Sequence, residues 1–339
     1  MRLLSGTARL RGLLVFLLLL SSAGCGKSHA TNGPSGGAAL RIAVIPKGTT
    51  HEFWKSVHAG AVKASRELGV DIVWKGPLKE DDLKGQIDVL DSFVAQGVSG
   101  ITLAPLSDRG LVASVRASVK AGIPVVVFDS DLQGDDHTSF VATDNVAAGR
   151  MAAEELARRM GGKGNVLVLR YQVGSASTAH REEGFLAALK EHPDLHVVSD
   201  NQYGGATTES AFATSENLLA AQKGESGAVQ GVFAPNESTT FGMLLALRKA
   251  GLAGKVHFVG FDASEKLIAS VRDGTIDALV VQDPFNIGYL SVKTITARLR
   301  GQPVEKRIDT GAHVATRENV DTPEIAELIR PDLKKWLGE

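Results

Sequence analysis

Two aspartates in this chain close matching stretches of sequence. Gly100-Ile-Thr-Leu-Ala-Pro105 resembles Gly231-Val-Phe-Ala-Pro235. Each is followed by a helix-length segment, ending Lys120-Ala121-Gly122 or Lys249-Ala250-Gly251, and then by an apolar run closing on Phe128-Asp129 or Phe261-Asp262. A carboxylate at a strand end either caps the next helix or faces a ligand; recurrence at equivalent places favours the ligand. Two carboxylates could also serve glycoside hydrolysis at a suitable separation. Phe53-Trp54 is the densest aromatic pair in a chain with 5% aromatic residues. Neighbours on a helix point about 100° apart, so the two rings are not expected to share one core face: either one ring starts the core face of the helix, or at least one faces a ligand. Tyr203 follows an apolar run at Leu195 to Ser199, and Asn236, Gln282 and Asp283 follow or end others. Arg181 opens Arg181-Glu182-Glu183-Gly184-Phe185, where a solvated helix charge paired to a glutamate is the simpler role.

Other chemistries fail on spacing. The nine histidines are scattered, and Pro193-Asp194 breaks any helix between His192 and His196, so no shared metal face forms there. The single cysteine removes disulfide scaffolds, cysteine zinc clusters and iron–sulfur sites. No nucleophile elbow or dinucleotide fingerprint occurs; Gly161-Gly162-Lys163-Gly164 precedes a strand instead of following one. Gly26-Lys27-Ser28 lacks the earlier glycine of a phosphate-binding loop, since Ser21 stands there. No cofactor, metal or catalytic residue is expected. With 37 basic and 38 acidic residues, net charge −1, the chain has no footprint for nucleic acid.

The elements that position these residues alternate. Apolar runs at 41–45, 71–74, 100–104, 125–129 and 140–143 are separated by segments of helical spacing. After a helix at 145–160 the pattern restarts, with runs at 165–169, 195–199, 231–234, 256–260 and 278–282. Continuous apolar strands between helices are parallel and covered on both faces. The fold class is doubly wound α/β. The offset between the two echoing halves, about 130 residues, is that of a domain and too long for a solenoid repeat. Ligands of open α/β sheets bind at the carboxyl ends of the strands, so two such domains face to face would hold a ligand between them. Length (339 residues), 43% apolar and 22% charged residues suit two soluble domains.

The first residues read as an export signal. Arg2, Arg9 and Arg11 precede the run Leu13 to Leu20, which is too short to span a bilayer. Ser22-Ala23-Gly24-Cys25 is similar to a bacterial lipobox, with Ser22 where leucine is usual; the resemblance implies cleavage before Cys25 and acylation of its thiol. Gly26 to Ala39 reads as a flexible tether.

Taken together, these stretches resemble the ribose- and galactose-type periplasmic binding proteins, the solute receptors of ABC importers. The resemblance runs from about Leu40 to Gly311. Val141-Ala-Thr-Asp144-Asn145, Phe233-Ala-Pro-Asn236-Glu237, Val259-Gly-Phe-Asp262 and Val280-Val-Gln282-Asp283 carry it. It implies two similar doubly wound lobes joined by a three-segment hinge: 40–143 with 284–311, and 144–283 with 312–339, after a signal at 1–24 and a tether at 25–39. It places sugar-stacking aromatics on Phe53 and Trp54, strand-end carboxylates on Asp129 and Asp262, the sugar-facing arginine on Arg181, amides on Asn236 and Gln282, and an aromatic wall on Tyr203. His51 stands where ribose binders have asparagine. Ser130 stands where they have an arginine, so one charged donor is missing. The implied protein is a non-enzymatic, exported, lipid-anchored monomer of the periplasm or cell envelope. It binds a small neutral sugar or polyol and passes it to ABC permease subunits, touching the membrane through its N-terminal lipid alone. A lipid-anchored sensory receptor for a sugar or furanose signal is the alternative, and a glycoside hydrolase using Asp129 and Asp262 a more distant one.

Overall fold

The computed structural model describes residues 39–222 and 229–338. The signal, Cys25 and the tether up to residue 38 lie outside the described residues. In chain order the elements are β1 (Arg41–Ile45), α1 (Glu52–Leu68), β2 (Asp71–Trp74), α2 (Leu83–Ala95), β3 (Gly100–Leu103), α3 (Val112–Lys120), β4 (Val125–Phe128), β5 (Ser139–Ala142), α4 (Asn145–Met160), β6 (Gly164–Arg170), α5 (Ala176–Leu189) and β7 (Leu195–Tyr203). They continue with α6 (Thr208–Ala221), β8 (Gly231–Phe233), α7 (Glu237–Ala250), β9 (His257–Phe261), α8 (Glu265–Arg272), β10 (Ala278–Gln282), α9 (Pro284–Leu299), β11 (Arg307–Asp309), β12 (Ala312–Thr316), α10 (Pro323–Ile329) and α11 (Leu333–Leu337).

The strands form two six-stranded sheets, ordered β11-β5-β4-β3-β1-β2 and β12-β10-β9-β8-β6-β7. All pairs are parallel except β12 on β10, which is antiparallel. The central strands β3 and β4 are buried at every residue, as parallel strands covered on both faces must be. Each sheet lies between two apolar clusters. In the first lobe, Ile42, Val44 and Phe128 pack with α1 and α9, while Ala43, Ile45 and Val127 pack with α2 and α3. The short β11 and β12 are strands that the sequence pattern did not single out.

The chain passes between sheets after β5, after β10 and between β11 and β12. The last helix departs from the expected division, which put residues 312–339 with the second lobe. α11 returns to α1, where the Arg66 guanidinium donates to the carbonyls of Lys335 and Trp336 at 3.4 and 3.0 Å and faces the Trp336 ring.

Glycines bring helices into near-backbone contact in both lobes. A Cβ on Gly60 of α1 would strike the Phe285 carbonyl of α9, and one on Gly288 would strike that of Val57. In the second lobe a Cβ on Gly149 of α4 would strike the Arg181 carbonyl of α5, and one on Gly184 that of Val146. These glycines let the helices approach closely, and in the second lobe they fix the height of α5 and therefore of Arg181.

Candidate functional site

The carboxyl ends of both sheets open onto one enclosed space. Its lining comprises Lys47, His51, Phe53, Trp54, Glu80 and Asp129 from the first lobe, and Tyr171, Ser177, Thr178, Arg181, Asn236, Asp262 and Gln282 from the second. The cavity left between them is about 30 Å³, far below the range for a small-ligand pocket: the lobes stand closed over it. Eight of the nine ligand-facing residues read from the sequence are therefore gathered here. Tyr203 is not. It ends the edge strand β7, is 43% exposed, and lies beside the Arg170 guanidinium. An edge strand carries its terminal residues outward from the cleft, whereas Tyr171, directly after the more central β6, is fully buried and forms that part of the wall.

Asp129 and Asp262 turn the chain at the ends of β4 and β9. They are the two non-glycine residues with positive φ among the described residues, at 60° and 66°. This left-handed conformation costs roughly 1–2 kcal/mol for most side chains, and aspartate is among those that visit it. The same strained turn thus recurs at one place in two lobes, at the carboxyl ends of equivalent strands.

The charges within the cleft are paired. Lys47 Nζ lies 3.2 Å from Asp129 Oδ2 and donates across the cleft to Ser177 Oγ at 3.0 Å and Ser175 Oγ at 3.3 Å. Lys47 thus supplies a cation beside Asp129 from the loop after β1, where Ser130 supplies none; Ser130 Oγ instead accepts the Ser177 N–H at 3.1 Å. His51 Nδ1 lies 2.7 Å from Glu80 Oε1. Burial alone would lower the His51 pKa, but the Glu80 carboxylate outweighs it and lifts the imidazole to about 9. Burial likewise pushes Glu80 up, and His51 overrides it, holding the carboxyl at about 2. Arg181 Nη1 stands 4.0 Å from Asp262 Oδ2. Burial lowers the pKa of Arg181 and raises that of Asp262, each against its partner's attraction.

Hydrogen bonds fix the orientation of each group. The Trp54 indole N–H donates to Glu80 Oε1 at 2.7 Å, and Tyr171 Oη donates to Glu80 Oε2 at 2.8 Å. Phe53 meets the Trp54 ring edge to face at 4.9 Å. Arg181 donates from Nε to Asn145 Oδ1 at 2.8 Å and from Nη1 to the Pro235 carbonyl at 3.0 Å, above the face of Phe261. Arg181 is buried in the cleft, not a solvated helix charge. Gln282 Nε2 donates to Asp262 Oδ1 at 2.6 Å, and Asp262 Oδ2 accepts the Glu237 N–H at 3.0 Å. Asn236 both lines the space and caps α7, its Oδ1 accepting from the Thr239 N–H at 3.2 Å. Two buried polar atoms at the cleft have no hydrogen-bond partner: Arg181 Nη2, a donor, and Gln282 Oε1, an acceptor.

Lys47, Glu80 and Tyr171 are absent from the sequence reading. Lys47 and Tyr171 stand just after β1 and β6, so the strand-end rule that selected Asp129 applied equally to them. Glu80 lies six residues past β2 in an irregular loop and carries no pattern in sequence.

Fold and cleft define a two-lobed solute-binding receptor with its ligand site between the lobes. Residues 42–303 match the periplasmic binding protein domain, and the chain belongs to that family. It is 28% identical over 267 residues to the ribose import binding protein RbsB of Haemophilus influenzae, spanning 79% of this chain and 88% of that one. Among solved structures it is similar to the periplasmic component of an ABC-type sugar transport system from Hahella chejuensis, with 37% identity, TM-score 0.78 and coverage of 81% and 99% of the two chains. A carbohydrate-transporter solute-binding protein from Agrobacterium radiobacter, solved with D-arabinose, gives 34% identity, TM-score 0.82 and coverage of 86% and 99%.

Proposed function

We propose that this protein binds a small neutral sugar or polyol between its lobes and delivers it to an ABC importer, without catalysing a reaction. One observation carries the ligand class: the buried donor Arg181 Nη2 and the buried acceptor Gln282 Oε1 lack partners, while the cleft's cations are matched with carboxylates. An unpartnered donor and acceptor together suit a hydroxyl, which both accepts and donates. A net ligand charge would stand against three compensated pairs in a desolvated space. The Phe53 and Trp54 rings add apolar surface for the C–H face of a sugar ring. The carboxylates are committed as acceptors, Asp129 to Lys47 and Asp262 to Gln282 and the Glu237 N–H, which favours binding over acid–base chemistry. The relatives named for ribose import and solved with D-arabinose support the same class of ligand and the importer as partner.

A thermal-shift panel of pentoses, hexoses and polyols tests the reading. Ligand at 100 times its Kd adds about 2.7 kcal/mol of stability, a rise of several degrees at roughly 2–4 °C per kcal/mol. A panel in which only sugar phosphates or amino acids raise the melting temperature contradicts it. Export and anchoring through acylated Cys25 complete the proposal. In the native host Cys25→Ser moves the protein out of the membrane fraction; retention there removes the anchor.

A further inference from the structure

The lobes also meet outside the ligand space, and there each carries a carboxylate onto a helix end of the other. Glu237, the first residue of α7, accepts the backbone N–H groups of Glu52 and Phe53 at the start of α1, at 3.4 and 3.2 Å. Glu52, the first residue of α1, reaches back and accepts the N–H of Glu265 at the start of α8, at 3.1 Å. These N–H groups belong to first turns, which have no partners within their own helices, and a carboxylate is the favoured occupant of that end of the helix dipole. Glu52 and Glu237 are absent from the ligand-space lining and instead line the neighbouring chamber at the cleft mouth.

We propose that Glu237 and Glu52 form the latch of the closed state: two carboxylates that cap helices of the opposite lobe and set how long a ligand is held, without touching it. The inference rests on the cleft being the ligand site. Opening the lobes breaks both sets of bonds and returns the N–H groups to water. The latch therefore acts on the step that releases ligand and leaves the encounter with the open cleft unchanged.

The surroundings of Glu237 make the latch sensitive to pH. His51 and Glu52 face it from α1, Asp262 from the end of β9, Glu80 from the loop after β2, and Lys79, Glu209 and Lys266 share its chamber. Burial, with Asp262 adding to it, raises the Glu237 carboxyl to about 7 despite His51 and the two N–H groups. A group whose pKa is higher in the closed state takes up a proton on closing, so acidification from pH 8 to pH 6 strengthens closure at this position.

Stopped-flow association and dissociation of the best neutral sugar, at pH 6 and pH 8, tests the latch. At pH 6 E237A dissociates about 10-fold faster than wild type, the loss of roughly one hydrogen-bonded contact. Its association rate changes less than about two-fold, within the narrow spread usual for association rates, and its ligand-free melting temperature is unchanged. E52A moves dissociation in the same direction. E237Q keeps an acceptor and no charge, so it matches wild type at pH 6 and dissociates no faster at pH 8; the dissociation-rate ratio of wild type to E237Q rises with pH. Unchanged dissociation in E237A, or a loss confined to association, overturns the latch while leaving the cleft assignment intact. A wild type that binds no neutral sugar overturns the cleft assignment instead. The latch is then read without ligand by small-angle scattering: E237A with an enlarged radius of gyration supports it, and an unchanged radius contradicts it.

Discussion

The carboxylates of this cleft are distinguished less by their own chemistry than by what each is tied to. Asp129 and Asp262 occupy the same strained turn in two lobes, yet Asp129 meets a lysine and Asp262 meets an amide, a backbone N–H and an arginine. Glu80 binds three side chains at once, fixing the His51 ring and the Trp54 indole and receiving Tyr171 from the other lobe. That arrangement has a signature in stability. His51, raised from 6.5 to about 9, contributes stability that is complete below pH 6.5 and is lost as the pH climbs through about 9. Glu80, lowered from 4.5 to about 2, contributes stability that is lost as the pH falls from 4.5 through about 2. Ligand-free melting curves from pH 6.5 to 9.5 thus show a falling midpoint in wild type and a flatter profile in His51→Gln. Parallel profiles for the two proteins mean that the pair is not formed in solution.

At the scale of elements, the close helix pairs are what deliver side chains to the cleft. Gly149→Ala places a methyl group against the Arg181 carbonyl and forces α4 and α5 apart. Overpacking of this kind costs about 1–3 kcal/mol. Because Arg181 moves with α5, the variant loses ligand affinity as well as several degrees of thermal stability. A variant that melts lower but binds as tightly as wild type separates the packing of α5 from the site. Sequence reveals the strands and most helices, because apolar runs and helical spacing are local signals. The echo between the halves locates Asp129 and Asp262 for the same reason. What local pattern does not reveal is set by distant contacts. Tyr203 and Tyr171 both stand at strand ends, and the position of β7 at the sheet edge, visible in three dimensions alone, decides between them. Glu80 gains its role from partners 29, 26 and 91 residues away. β11 has three residues and pairs with β5, far back in the chain, and β12 is an edge strand that is only partly buried, so neither shows the continuous apolar run of a central strand.

For the whole molecule, binding and shape are one process. Phe53, Trp54, Asp129 and Lys47 come from one lobe, and Arg181, Asn236, Asp262 and Gln282 from the other, so neither lobe alone presents a complete site. On the proposed function, rotation about the three crossings assembles the site and excludes water. The hydrogen bonds across the cleft, from Lys47 to Ser175 and Ser177, from Tyr171 to Glu80 and from the Ser177 N–H to Ser130, then hold it. A hydroxyl completing the hydrogen bonding of Arg181 and Gln282 becomes part of that same interface. On the proposed function the closed cleft selects a neutral, hydroxyl-rich ligand, and isothermal titration calorimetry with the best neutral sugar, with its phosphate ester, and with an Asp262→Ala variant decides it. One site per chain is expected for the sugar and no detectable binding of the ester. Asp262→Ala is expected to lose roughly 10- to 150-fold in affinity, since a charged hydrogen bond contributes about 1.5–3 kcal/mol and 1.4 kcal/mol is a factor of ten. Tighter binding of the phosphate ester, or undiminished sugar binding by a folded Asp262→Ala variant, would contradict the proposed function.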